Sequence, residues 1–438
     1  MKTNHLFNSR IWRHSLLVLL ALTCATAGRA ATLYWDGNGT GASGNPPTAG
    51  VGGSGTWDAG TTANWWNGTT YQMWNAAGGQ DIADFRVASG TVTVSGTVNV
   101  NKVNIVGINT CIFNSGTLAF PAGGGIIDVN ASTAHSFNGP LTGNVTYNAT
   151  GNTSTTATSG GIGSIAGNNT GLTYFELNTG GTQNQLLVSS AGALGPNSST
   201  VKITKGIVGL SAANGTTYNS WVTDFAGGVL RLRVAGTGST YSGNGTLSAN
   251  TEFATIASAN LIYSGTLNLN ANTLTLAPQS SGSITLNGAV SGSGNLTVNN
   301  GAISGADGLG TVTLGTANPS FTGTATTTGG KGTLALNNVN ALQAATLDTG
   351  ASGSQQVTFI VAGNNTYNLG ALTGSDALAI GANTISVGSK AVDTTFSGAI
   401  SGSGGKLTKV GANTLTLNAA NTYDGLTTVS GGTLALGA

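Results

Sequence analysis

The chain has 438 residues, a formal net charge of +1, 6% charged and 6% aromatic residues, 7 prolines and 71 glycines. Glutamate is confined to Glu176 and Glu252, and Thr, Ser and Asn carry the polarity, a balance that suits strands and turns and excludes a helical bundle. So few basic residues exclude a nucleic-acid footprint or a polybasic membrane anchor.

The N-terminus reads as a secretion signal, residues 1–30. Lys2, Arg10 and Arg13 precede an apolar run from Ser15 to Ala27, with small-x-small cleavage positions after Ala27 or Ala30. The run is too short to span a bilayer comfortably, which needs ~20 residues. Cys24 invites a lipoprotein reading, but Thr23 stands where a smaller residue is expected. Loss of the leader removes Lys2, Arg10, Arg13 and Arg29, leaving ten basic residues against 13 acidic ones. No later segment looks membrane-spanning. The mature chain keeps one cysteine, Cys111, flanked by Ile and Phe, which reads as a small buried apolar residue rather than a reactive thiol.

Residues 31–90 form a Trp-rich segment holding Trp35, Trp57, Trp65, Trp66 and Trp74. Flat aromatic faces stack on sugar rings, so a glycan platform is one reading. The other is an end cap that covers the exposed backbone and apolar interior of a strand stack, and it is the preferred one. Asp81 and Asp84 stand three apart in a stretch with no helical pattern, so a turn is expected rather than an acid pair.

From residue 91 onward, short runs alternate Thr with aliphatic residues, the mark of half-buried strands. Thr91–Val94 and Thr97–Val100 are joined by a Ser-Gly corner, and the Thr-aliphatic motif returns from Thr97 to Thr117, from Thr311 to Thr333 and from Thr414 to Thr433. A stride of roughly 20 residues, with several strands per stride, predicts a β-solenoid over 91–438. Regular alternation argues against the disorder that so much Gly and Ser would otherwise suggest. A second unit, Gly288-Ala289-Val290, recurs at Gly398-Ala399-Ile400 and more weakly at Gly139-Pro140-Leu141. The clearest repeat is 398–438.

That repeat resembles the autotransporter-associated β-strand repeat. Lys409, Thr414, Asn421, Tyr423, Gly425, Val429 and Leu434 occupy the family's Lys, Thr-Leu-x-Leu, Asn-Thr-Tyr-x-Gly, Val and Gly-x-Leu positions. The stretch from Ala317 to Gly323 is a looser copy, with Phe321 in place of the Tyr and one residue inserted. The resemblance implies an all-β, right-handed parallel β-helix passenger, exported and displayed at a bacterial cell surface or outer membrane. Self-anchoring members carry a C-terminal barrel. This sequence stops at Gly437-Ala438, straight after a repeat strand, so truncation is the expectation.

Parallel β-helices also serve as polysaccharide lyases and hydrolases, which cluster two or three carboxylates on one face. Asp128, Glu176, Asp224, Glu252, Asp307, Asp348, Asp376, Asp393 and Asp424 stand dispersed; Asp376 and Asp393, about one turn apart, are the best candidates to stack. His135 has no neighbouring Cys or carboxylate in sequence and Asp36-x-Asn38 lacks a regular acidic loop, so neither a triad nor a zinc or calcium site is expected. Arg231 and Arg233 alternate with Leu230 and Leu232 and read as a solvated side. The sequence therefore predicts no catalytic, cofactor or metal residues, and a non-enzymatic structural or adhesion protein with surface glycans or matrix polymers as partners. A glycan-active enzyme and a carbohydrate-binding module are the alternatives.

Overall fold

The computed structural model describes residues 30–37, 52–75, 81–86, 89–107, 110–130, 135–149, 161–182, 184–233, 238–298, 310–328, 332–351 and 356–437; the segment expected to be a leader, apart from Ala30, lies outside them, as does Asp307. Every regular element among them is a strand. Alternating Thr and aliphatic residues cannot form a helix stripe, but they can line a two-sided strand, apolar inward and hydroxyl outward. Thr414–Leu417, Thr311–Leu314 and Ser283–Leu286 all show that alternation, with each Leu, Val or Ile buried.

The strands stack in parallel, coil upon coil, into a β-solenoid of about 14 turns. Thr97 pairs with Thr117, Thr311 with Thr333 and Thr414 with Thr433, so the intervals expected from sequence are single turns of the coil. Thr91–Val94 and Thr97–Val100 belong to one turn, bent at Gly96, whose φ of 71° only a glycine adopts without cost. The stride is not fixed. A turn is short from Thr366 to Thr384 and much longer from Asn144 to Tyr174. The ladder nevertheless runs without a break in direction through 120–260, the stretch with the least regular sequence.

Three faces result. The first stacks Ile82–Arg86, Lys102–Val106, Gly125–Asn130, Leu141–Ala149, Gly171–Thr179, Thr200–Lys205, Val222–Phe225 and Gly245–Leu247. The second includes Gln185–Val188, Ile207–Leu210, Val229–Leu232 and Thr251–Thr255. The third runs from Thr217–Tyr218 to Val357–Phe359. Between them lies one continuous apolar core, threaded by aromatic runs such as Phe85–Phe113–Phe137 and Tyr241–Tyr263–Phe253.

The Trp-rich segment closes the start of the stack. Thr32–Trp35 and Gly55–Trp57 join the parallel ladders, while Trp65–Trp66 runs antiparallel to Thr32–Trp35. Trp35, Trp57, Trp65 and Trp74 are buried at 0–2% exposure, in edge-on or tilted contacts 4.6–5.1 Å between centroids. Their faces are taken up by each other and by Phe85. Trp66, half-buried against Tyr71, is the exception. In the last turn Val429 and Leu436 are 52% and 79% exposed.

Candidate functional site

The three Gly-x-aliphatic copies share one corner. In each, the backbone N–H of the aliphatic residue is bound by an asparagine from the following turn. Leu141 N donates to Asn169 Oδ1 at 2.7 Å, Val290 N to Asn318 Oδ1 at 2.8 Å and Ile400 N to Asn421 Oδ1 at 2.9 Å. Asn169 and Asn318 then donate onward to Ala193 O and Ala341 O, one turn further. These two asparagines thereby each fix three successive turns at a bend, where backbone groups need partners outside the ladders. The glycine of the copy packs directly on the preceding turn: a Cβ at Gly288 or Gly398 would strike Gly265 O or Asp376 O. The repeat lysine acts alike. Lys409 is fully buried, and its Nζ shares its three donors among four acceptors within reach, Val410 O, Gly411 O, Asn413 Oδ1 and, across the coil boundary, Gly431 O. In this structure Lys409, Asn421 and the glycines of the copies therefore act as corner locks.

The outward side of the first face carries the chemistry. Ile82, Lys102, Ile126, Thr146, Glu176, Lys202, Asp224, Thr246 and Asn268 stand in one register row. Asp84, Asn104, Asp128 and Asn148 form the row beside it. Carboxylates that stand apart in sequence thus share one face, and the expectation of dispersed acids is corrected for Asp128, Glu176 and Asp224; Asp84, expected in a turn, instead lies within the strand Ile82–Arg86, because the chain there already pairs with the next coil. Asp84 is paired with Arg86 at 2.5 Å and receives the Asn104 amide at 2.7 Å; Asp128 is paired with Lys102 at 2.7 Å. Sequence spacing concealed them because the turns between them differ in length.

Glu176 is the most elaborated of these. Thr204 Oγ1 donates to it at 2.6 Å and the Tyr174 hydroxyl at 2.9 Å, with Lys202 Nζ at 3.5 Å. Partial burial pushes the carboxyl up, but the hydrogen bonds from Thr204 and Tyr174 and the Lys202 charge outweigh it, and Glu176 stays below the usual carboxylate range. Burial, with the facing Glu176, pushes Tyr174 up to about 12. Asp224 lies two turns from Glu176, about 9–10 Å along the stack at the usual inter-strand spacing.

The other sequence candidates separate. Asp376 does not stack on Asp393: the bridge of Gly374 to Phe396 sets Asp376 against Gly398, whereas Asp393 is exposed and caps Thr414 N at 2.6 Å. Asp81 caps Ala31 N at 3.2 Å, as a turn residue does. His135 does have a cysteine beside it, one turn away, since Cys111 N donates to its Nδ1 at 3.1 Å. Both side chains face the core; burial lowers the imidazole to about 4 and raises the thiol to about 12, which suits packing rather than nucleophilic chemistry. Arg231 is not solvated. It is 2% exposed, and on the same side of the face the neighbouring row of Ile207 and Val229 is 0% and 8% exposed, so that side is covered as well. Glu252, a turn further, is buried near it and pushed up to about 7 by desolvation, against the pull of Arg231. Among the described residues no three His, Cys, Asp or Glu side chains group as metal ligands, and no helix is long and apolar enough to cross a membrane.

Residues 407–436 match the family model of the passenger-associated-transport-repeat. The match begins beside the lysine lock and takes in Asn421, so this autotransporter passenger-type repeat sits on a parallel β-solenoid in which its signature positions hold successive turns together. No curated protein and no solved structure matches the chain significantly.

Proposed function

We propose that this passenger-repeat solenoid is an exported, surface-displayed bacterial rod that works by adhesion or structural contact, without catalysis. The observation that carries the reading is the outward row of the first face. Over nine turns, from Ile82 to Asn268, it presents mostly hydroxyl, amide and charged groups at a constant step, while the alternate positions fill the core. A repeated polar array offers many weak, equivalent contacts to a polymer, and such contacts add up through multivalency. Surface glycans and matrix polymers are the partners whose periodic hydroxyls fit it.

One observation favours a second reading. Glu176 and Asp224, with Lys202 between them, stand near the separation of an inverting glycosidase pair. Such a pair needs one carboxyl kept protonated at working pH, and Glu176 is held the other way. The test is a glycan array and a polysaccharide-degradation screen on the chain from Ala31 onward, with protease shaving of whole cells to read display. Binding without turnover on an exposed protein is the expected result. Turnover that disappears in Glu176→Gln replaces adhesion with catalysis.

A further inference from the structure

A groove of about 530 Å³ lies away from the polar row, where the solenoid changes stride. Between Leu342 and Thr346 one strand takes four steps while its partner takes two, from Leu369 to Ala371, so Gln343 and Ala344 are pushed outward. Gly370 permits this, because a Cβ there would meet Ala344 C at 2.6 Å and Ala345 O at 2.7 Å. Beyond Gly388, whose φ is 123°, the chain folds back over the bulge. Ser389 Oγ donates to Gln343 O at 2.6 Å, and Lys390 N donates to Gly370 O at 2.9 Å. The Lys390 side chain then reaches back across earlier turns, donating to Thr346 Oγ1 at 2.9 Å and Gly323 O at 3.3 Å.

The wall so formed has unused capacity. An ammonium has three donors, and Lys390 directs two at neutral oxygens, with no salt bridge among the described residues. The Gln343 amide and the Ser386 hydroxyl make no hydrogen bond inside the protein among the described residues, and Asn368 uses its Nδ2 on Asn340 Oδ1 and keeps its own Oδ1 for a donor. Pro319 and Ala344 supply small apolar contacts. A half-buried cation with no counter-charge, ringed by amides and hydroxyls, is the complement of a carboxylate on a polyhydroxylated ring.

We propose that this groove binds an acidic saccharide, a uronic-acid unit of a polymer, with its carboxylate on Lys390 and its hydroxyls on Gln343, Asn368 and Ser386. The proposal rests on the reading of the rod as a surface-binding protein and gives one of its contacts a chemistry. Burial without a counter-charge disfavours the Lys390 ammonium and lowers it from its ordinary value; a carboxylate in the groove would supply that charge and a neutral sugar would not.

The experiment is calorimetric titration of the chain from Ala31 onward with trigalacturonic acid and with its carboxyl-reduced, neutral counterpart. The acid should bind at least tenfold more tightly and weaken as salt rises. Lys390→Met should abolish that preference, Lys390→Arg should restore it, and Lys205→Met, an equal loss of charge on the first face, should leave it intact. Equal affinity for the acidic and neutral sugars, unchanged preference in Lys390→Met, or no binding of either overturns the groove. Whole-rod attachment, read in parallel with Glu176→Ala and Lys202→Ala, tells which reading has failed. Attachment that survives Lys390→Met but is lost in those variants removes the groove and keeps the adhesive rod; loss of all attachment in the wild type removes both.

Discussion

Lys409→Met isolates what the repeat signature does for the fold. The lysine is fully buried, and its ammonium is held at 2.6 Å from Val410 O, 3.1 Å from Gly411 O and Asn413 Oδ1, and 3.3 Å from Gly431 O in the next turn. Methionine keeps most of the stem volume and removes the donors. Each hydrogen bond to a charged group contributes about 1.5–3 kcal/mol, and each acceptor left buried costs about 1–3 kcal/mol. Against this stands the relief of an ammonium no longer desolvated, worth several kcal/mol. Gly411 and Ala412 are exposed, so water can reach part of the corner. The expected net loss is about 2–3 kcal/mol. A solenoid couples only neighbouring turns, so the loss stays local. Native-state amide exchange in Lys406–Lys409, Thr414–Leu417 and Thr427–Val429 should accelerate about 30- to 160-fold, while Gly125–Asn130 keeps its rate. Unchanged exchange in the last turns would refute the lock, and equal acceleration along the whole chain would refute turn-by-turn coupling.

Trp65→Ala removes the ring that touches Trp35, Trp57, Trp74 and Phe85 and should cost about 3–5 kcal/mol, releasing the cap to limited proteolysis. Trp66→Ala, which loses one half-buried ring contact, should leave the cap resistant. Native Cys111 should resist alkylation through pH 9 and react once urea unfolds its turn, since burial raises the thiol to about 12. Glu252 and His135 should give opposite pH slopes. Glu252, raised from 4.5 to about 7, binds a proton in the folded state that the unfolded chain has lost; its contribution is full below pH 4.5 and fades, by up to about 3 kcal/mol, as pH rises through 7. His135, lowered from 6.5 to about 4, is bound to fewer protons when folded, so stability at its turn falls as pH drops from 6.5 toward 4. Amide exchange at Thr251–Thr255 and His135–Phe137, with Glu252→Gln and His135→Gln, reads the two slopes separately; a flat profile at either turn in the wild type contradicts its assignment.

What the sequence discloses depends on whether a residue is fixed by its own strand or by the turn beside it. Thr414–Leu417 and Thr433–Leu436 alternate so regularly that strand, inward face and partner follow from period and stride alone, and they pair residue for residue. The same logic fails at Val229–Leu232. Alternation there puts Arg231 outside, which is correct, but outside is not solvent, because the outward side of the second face is covered and Arg231, Val229 and Ile207 are buried on it. Period two reports which side a residue takes, not what lies over that side. Stride fails where turns swell. Asp376 and Asp393 differ by nearly one ideal turn and miss each other. Glu176 and Asp224, far apart in sequence, share a row because one turn carries Glu176 onto Lys202 and the next, of different length, carries Lys202 onto Asp224. The groove at Lys390 is harder still to foresee. It arises from a surplus of chain between Leu342 and Thr346 that a glycine at 370 tolerates. The repeat itself spends Lys409, Asn421 and its glycines on holding turns together, which is why its pattern, plain in sequence, foretells the coil and not the groove.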